Sequence, residues 1–584
     1  MRLTGAPLPA PTSNTLVDAL ARAARSSEGV TLVDASEHEQ FYAWKELAAR
    51  AAGVAGALAR QGIREGDRVA LVLATGIDFL DAFFGAVIAG AVPVPLYPPM
   101  RLGRLEEYHA STARMLRASG ARIVLTDAKI RLLLGRAIAE ARPDRGLVTV
   151  EALRSSGAEP LAPVQVRPEA LALIQFSSGS TVDPKPVGLT HANLVTQLAA
   201  LAALMPAEPG DVQRGVSWLP LYHDMGLIGC LLSGVYMPGA LTLIPPEVFL
   251  ARPALWLRAI SRHRATISPA PNFAYALCLR RVAERDLEGV DLSSWRFALN
   301  GAEPVSAAVM HRFTERFSPQ GFSSRAFLPV YGLSEASLAV TFSPSGRTPR
   351  TLEVDANTLA LEGRAVPGTR PLVSVGVPVP GAEVEIRSEE GARLGPHALG
   401  RIFVRGPFVM RAYFGAAGPS AAEDGWLDTG DLGFISDGEL YIAGRVKDLV
   451  IIRGANHVPQ EFEECFELLE GVRPGTAMAL GFVPDGAESE ELLLLAEHVG
   501  ALEASLESRI RTAVLERTGI RAHTVRLVAP GTLPRTSSGK LRRAEALRRF
   551  LADELTAPAP VNTARLAVEM ARSAWALVRT PKVP

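Results

Sequence analysis

Between Phe176 and His191 the chain reads FSSGSTVDPKPVGLTH. This sets the hydroxyls of Ser177, Ser178, Ser180 and Thr181, with Gly179 among them, just ahead of Lys185. Such a loop can offer backbone N–H groups, hydroxyl donors and one cation to a polyphosphate. It is not a Walker A loop, because Pro184 stands where that motif needs glycine. Taken alone, a Ser/Gly-rich turn after an apolar strand is often only a turn. Four more stretches carry carboxylates, rings or cations in fixed order: VYGLSEASL at 330–338, GWLDTGDLGF at 425–434, GRVKD at 444–448 and LPRTSSGKLRR at 533–543.

The elements that must hold these groups are legible as alternating patterns. Residues 68–96 run from apolar strand to helix to apolar strand, a βαβ unit, and similar alternation recurs at 121–126, 169–176 and 240–245. Helix-covered parallel sheets are therefore expected through most of the first 340 residues. From about 342 to 410 short β-rich runs with Gly and Pro predict antiparallel strands or a small barrel. After Gly444-Arg445 comes a compact mixed segment: a strand LVII, a helix from about 459, a strand near 476–482 and a helix at 503–517. Ala-Pro-Ala-Pro near 556 reads as a linker. A tail helix over 561–579 carries Arg565, Arg572 and Arg579 seven residues apart, as a packed or solvated helix or as one that docks a partner or membrane surface.

The expected fold is thus α/β. A large N-terminal domain (1–446) holds two helix-covered βαβ-type sheets and a small β-barrel subdomain. A small, mobile α+β domain (447–556) and a linker with tail helix (557–584) follow. A chain of 584 residues exceeds what one core usually supports. Lys plus Arg and Asp plus Glu are both 61, so no basic excess is present to neutralise nucleic-acid phosphates. The charge-free runs Ala82 to Met100 and Met225 to Pro246 are broken by prolines, which favours buried α/β core over a transmembrane segment. Cys230, Cys278 and Cys465 show no metal-type spacing, and so few thiols fit a cytoplasmic protein.

The order and spacing of the five stretches resemble the adenylate-forming superfamily of acyl-CoA synthetases, peptide-synthetase adenylation domains and luciferases, over nearly the whole chain to about residue 550. Within it, SWLPLYHDMGLIG at 217–229, LNGAEPV at 299–305 and the run TLEVDANTLALEGRAV at 351–366 look like fatty acyl-AMP ligases. The segment at about 342–375 resembles the insertion that sets those ligases apart from acyl-CoA synthetases. The resemblance implies ATP and Mg²⁺ as cofactors and a reaction that joins a carboxylate to the α-phosphorus of ATP. The task is then mainly positioning and charge stabilisation.

On that resemblance the Ser177–Thr181 loop and Lys185 hold the β- and γ-phosphates, and Glu335 ligates Mg²⁺. Asp431 accepts from the ribose hydroxyls, Tyr331 stacks on adenine, and Gly301, Ala302 and Glu303 line its other side, with Gly332, Ser334 and Arg445 also at the nucleotide. Lys540 bridges the acid carboxylate and the α-phosphate. Lys447 marks the hinge about which the small domain turns. His223 orients the acyl carboxylate, or is a structural histidine. The apolar stretch after Asp224 supplies walls for an acyl tail, and SPAPNFAYAL at 268–277 adds Phe273 and Tyr275. Val182 and Pro186 replace glycines usual in the phosphate loop, which implies a stiffer loop with one backbone donor fewer.

No Asp-Ser or His-Ser dipeptide of a carrier domain occurs, so the acyl acceptor is expected to be a separate carrier protein or coenzyme A. The leading expectation is a fatty acyl-AMP ligase that loads a carrier. The alternatives are a fatty acyl-CoA synthetase and a non-catalytic homologue that binds acyl-adenylate or acts as a scaffold.

Overall fold

An apolar run with one acid in its first turn, Asp78, makes the helix Ile77–Ile88. It is buried almost all round because it lies between sheet and neighbouring helices. The strand Val92–Leu96 that follows keeps Pro93 and Pro95 because it is an edge strand, so its missing N–H groups break no ladder. The computed structural model describes residues 1–584 except 100–101, 178–183, 417–423, 453, 468, 485–486, 488, 537–538, 559–562 and 580–584.

Val92–Leu96 opens a four-stranded parallel sheet, in the order Val92–Leu96, Arg68–Val72, Ile123–Thr126 and Leu147–Thr149. A second, nine-stranded sheet is parallel through its interior, from Phe327–Gly332 across Phe297–Asn300, Ile267–Ala270, Arg214–Ser217 and Ala240–Leu243 to Gly29–Val33. Antiparallel strands close both edges. Its buried strands read as continuous apolar runs, as sheets covered on both faces must. A third sheet is antiparallel, in the order Arg2–Thr4, Glu383–Arg387, Gly400–Arg405, Leu427–Ser436 and Glu439–Arg445, the small β-subdomain.

One expected element differs. The strand near 169–176 is not part of the βαβ alternation, because Leu171–Phe176 pairs antiparallel with Pro186–Thr190. The Ser/Gly stretch therefore falls in sequence between two antiparallel strands rather than between a strand and a helix, and the helix His191–Leu204 begins only after the return strand. Pro186 takes that strand's first position, where the lack of an N–H costs little.

Residues from Val450 onward enclose cores of their own. Phe462, Leu494 and Ile510 fill one face of the sheet Met478–Phe482, Glu491–Glu497 and Thr524–Val528, and Met478, Leu493 and Ala546 fill the other. The tail is the helix Thr563–Arg579 and packs on the helix Ala128–Ala141 of the large domain. The segment at 342–375 is ordered: Thr351–Val354 pairs with Arg370–Val373, and Val354, Leu359, Ala365 and Leu372 share a core with Phe434 and Tyr441 of the β-subdomain. The helix Ala356–Glu362 within it also touches the strand Ala455–His457. No helix among the described residues is long and apolar enough to cross a membrane.

Candidate active site

Parallel strands present their carboxyl ends to a common crevice, where ligands of open α/β sheets bind. The strand Phe297–Asn300 delivers Gly301, Ala302 and Glu303 there, and Phe327–Gly332 delivers Tyr331, Gly332, Ser334 and Glu335. Arg214–Ser217 leads to His223. Gly301 is required by close approach, since a Cβ there would lie 2.5 Å from Val330 Cγ2. Ala302 has φ 67°, a left-handed backbone that alanine adopts only at a cost.

Asp431 and Arg445 face each other across an antiparallel pair. Arg445 Nε donates to Asp431 Oδ1 at 2.6 Å, and the Tyr331 hydroxyl donates to Oδ2 at 2.7 Å. The Asp431 charge raises the Arg445 guanidinium further, and burial with that same carboxylate raises the Tyr331 phenol well above its usual range. Tyr331 is therefore a neutral, fixed ring. Each carboxylate oxygen keeps a lone pair for a further donor.

The Tyr413 hydroxyl donates to Glu335 Oε1 at 2.9 Å, and the Lys185 ammonium sits 4.7 Å from the centre of the Tyr413 ring. The base of the hairpin loop is closed by Ser177 N–H donating to Lys185 O at 2.9 Å. Ser178, Gly179, Ser180, Thr181 and Val182 lie outside the described residues. Glu303 turns toward the helix Asn272–Arg281 and accepts the Phe273 N–H at 2.5 Å; burial raises its carboxyl.

Lys540 belongs to the small domain yet lies among these groups. Burial and then the Arg445 charge lower its ammonium, while Asp224, Glu303 and Asp431 support the charge. Its backbone is pinned by Thr536, which donates its N–H to Lys540 O at 2.8 Å. Lys447 is exposed in the short turn Val446–Asp448. Asp448 beside it is 3.5 Å from Arg543 at the start of the small domain's last helix.

A narrow cavity of about 40 Å³ opens between the strands Arg214–Ser217 and Ala240–Leu243 and the helical stretch after Asp224. Gly229, Cys230, Ser233, Gly234 and Met237 line it, and burial pushes the Cys230 thiol up to about 12. Phe273 packs edge-on to Trp218, but Tyr275 is not a pocket wall. It is fully buried with its hydroxyl on Leu299 O, because it anchors the aromatic core around Trp256 and Trp295.

Tyr413 and Asp224 were not singled out from the residue pattern. Tyr413 stands in RAYFG, which carries no recognisable chemistry, and meets Glu335 only through folding. Among the described residues no three His, Cys, Asp or Glu side chains cluster as a metal site. A Mg²⁺ ion here would take Glu335 plus oxygens from phosphates and water, the habit of this hard cation.

Residues 20–414 match the AMP-binding enzyme family. A long-chain-fatty-acid–AMP ligase, FadD32 of Mycolicibacterium smegmatis, is 34% identical, covering 89% of this chain and 90% of its own. A Caulobacter vibrioides protein with a provisional acyl-CoA synthetase name is 36% identical over 92% of this chain and 95% of its own. A structure from a study of fatty acyl-adenylate ligases of E. coli and L. pneumophila superposes with a TM-score of 0.87 at 36% identity, covering 94% of this chain and 99% of that one. The chain belongs to the AMP-binding enzyme family.

Proposed function

We propose that this enzyme uses ATP to convert a long-chain fatty acid to acyl-AMP and then passes the acyl group to the phosphopantetheine thiol of a separate carrier protein. The observation that carries the first step is the placement of Lys540 among Asp224, Glu303, Asp431 and Arg445, at the mouth where the strand ends converge. A carboxylate oxygen attacks the α-phosphorus, a P–O bond forms, and the bond to the pyrophosphate oxygen breaks. Lys540 offsets the charge that gathers between the two anions. Asp431 holds the ribose, the fixed Tyr331 ring stacks on adenine beside Gly301 and Ala302, and Ser177–Thr181 with Lys185 hold the outer phosphates. Glu335, oriented by Tyr413, would hold Mg²⁺, and the ion when bound would neutralise phosphate charge. His223 orients the acid, whose tail is directed along the apolar stretch beside Gly229 and Met237, where the cavity of about 40 Å³ must widen to admit it.

In the second step the carrier's thiol, losing its proton, attacks the acyl carbon, a thioester forms and AMP leaves. The carrier reading is supported by the ordered segment at 342–375. Arg350 lies 3.5 Å from Glu439 of the β-subdomain and Ser374 donates to Glu439 at 2.5 Å, with Arg347 on the same carboxylate. Its helix Ala356–Glu362 also contacts the small domain, so it stands where it can restrict rotation. Coenzyme A as acceptor is the second reading, favoured by the name of the Caulobacter relative. The three buried, unpaired cysteines fit work in a reducing compartment such as the cytoplasm.

The test is a product assay with ATP, Mg²⁺ and fatty acids of graded length, with and without coenzyme A or a phosphopantetheinylated carrier. Acyl-AMP that accumulates beside coenzyme A but is consumed by the carrier is the expected result. Ready acyl-CoA formation would replace the carrier reading with the synthetase reading, and no acyl-AMP from any acid would overturn both.

A further inference from the structure

Asp224 is buried at the junction of two site-forming turns that lie far apart in sequence. Its Oδ1 is 2.6 Å from His223 Nδ1, and its Oδ2 accepts the Ser334 hydroxyl at 2.5 Å, across 110 residues. The Met225 N–H lies 2.7 Å from Asp224 Oδ1 and 3.5 Å from His223 Nδ1. The shorter contact takes that proton, so Nδ1 is left to donate to the carboxylate. The imidazole's Nε2 is then the nitrogen available to a ligand, with its tautomer and plane set by the hydrogen bond at the other ring position.

Ser334 directly precedes Glu335, so the same carboxylate fixes the turn that presents Glu335. Burial alone would raise the Asp224 carboxyl. The His223 charge and hydrogen bond, the Ser334 hydroxyl and the Lys540 ammonium outweigh it and hold the group ionised. One buried anion therefore touches the histidine turn and the glutamate turn and supports the small-domain lysine.

We propose that Asp224 is a positioning residue of the adenylation step: bridging His223 and Ser334, it aims the imidazole at the acyl carboxylate and locks the Glu335 turn to the same point. This rests on the acyl-AMP reading given above. A buried group of this kind acts on the rate of the bound complex more than on nucleotide binding, because it does not touch Asp431 or Tyr331.

The experiment measures acyl-AMP formation by pyrophosphate exchange in wild type, Asp224→Asn, His223→Ala and the double variant, with melting curves for each. Asn keeps the shape and both hydrogen-bonding positions but removes the charge. Expected is a kcat loss of roughly 10–100-fold for Asp224→Asn, the scale seen when a partner behind a functional group is removed. KM for ATP should change by less than about threefold and the melting temperature should hold, since nucleotide contacts and packing are kept. In the His223→Ala background the same change should cost clearly less, only the severalfold share that runs through Ser334 and the Glu335 turn, because the imidazole it positions is gone.

A wild-type kcat for Asp224→Asn, or an equal loss with and without His223, overturns the inference. If Asp224→Asn does not fold, Ser334→Ala decides. Loss of that one hydroxyl should lower kcat severalfold and add little to the loss of the Asp224→Asn variant when combined with it at a permissive temperature, and a wild-type rate overturns the bridge. Wild-type acyl-AMP formation is read in the same assay. If it is absent, the parent reading falls as well; if it is present beside an unaffected Asp224→Asn, only this inference falls.

Discussion

Lys540, proposed to bridge the two reacting anions, has its cation supported by three carboxylates on the large domain, Asp224, Glu303 and Asp431. Removing a preorganised charge aimed at the reacting centre typically costs the chemical step roughly 10²–10³-fold. Lys540→Ala should therefore lower acyl-AMP formation by roughly 10²–10³-fold in a pyrophosphate-exchange assay, with little change in the melting curve, because the small domain's hydrophobic cores are built from other residues. A variant that still makes acyl-AMP at the wild-type rate would remove Lys540 from the mechanism. Lys540, Glu335 and Asp431 are named in advance through the resemblance of their short stretches to the adenylate-forming superfamily, and folding gathers them at one crevice. Asp224 and Tyr413 are not. Their meaning lies in partners 110 and 78 residues away, Ser334 and Glu335, and no local pattern announces a contact made only by folding. Tyr275 shows the converse: an aromatic beside a ligand region looked like a wall and is core, since sequence does not say which way a helical ring points.

Elements were legible where a local rule suffices. The helix Ile77–Ile88 and strand Val92–Leu96 follow from an apolar run cut by prolines. The small-domain helices Pro459–Phe466 and Leu506–Thr518 follow from their periodicity. Pairing is not local, so the hairpin of Leu171–Phe176 with Pro186–Thr190 was missed. So was the seat of the tail helix. That seat is specific: Gly135 N–H donates to Ser573 Oγ at 2.6 Å, and a Cβ on Gly135 would lie 1.9 Å from Ser573 O. The helices approach this closely only because both residues are small. Gly135→Val must push the tail away, and overpacking of this kind costs about 1–3 kcal/mol, enough to open a local docking equilibrium by roughly tenfold. Limited proteolysis followed by mass spectrometry should find cuts in 563–579 appearing sooner than in wild type. An unchanged cleavage pattern would mean that the tail does not dock through this contact.

Over the whole molecule, the small domain is held above the crevice by contacts on several sides. Arg549 donates to Glu107 at 2.9 Å, and Arg104 reaches Thr532 O and Thr556 O, each at 3.2 Å. On the proposed reading, Lys540 serves adenylation in this arrangement, and transfer to a thiol would require that these contacts open. One group opposes closure. Glu467, at the end of the small domain's first helix, is raised to about 7 by burial, then by Glu303 of the large domain and by Glu463 and Glu464, against the Gly475 N–H. Arg280 of the large domain is the cation facing it. A raised carboxyl binds its proton more tightly in the folded, closed form than in the unfolded chain. The stability contributed through this one group is therefore greatest below the ordinary value of 4.5, falls as the pH climbs toward about 7, and carries the full penalty above that. Glu467→Gln removes the charge and keeps the shape. It should raise the melting temperature by about 1–3 °C at pH 8 and by much less at pH 5, as melting curves at the two values would show. The share of that penalty owed to Glu303 is relieved when Glu467 moves away from it, whereas Glu463 and Glu464 move with the small domain, so above pH 7 the Glu303 repulsion works against closure. An equal gain at both pH values would mean that the substitution acts through packing and that the Glu303–Glu467 repulsion plays no part in closure.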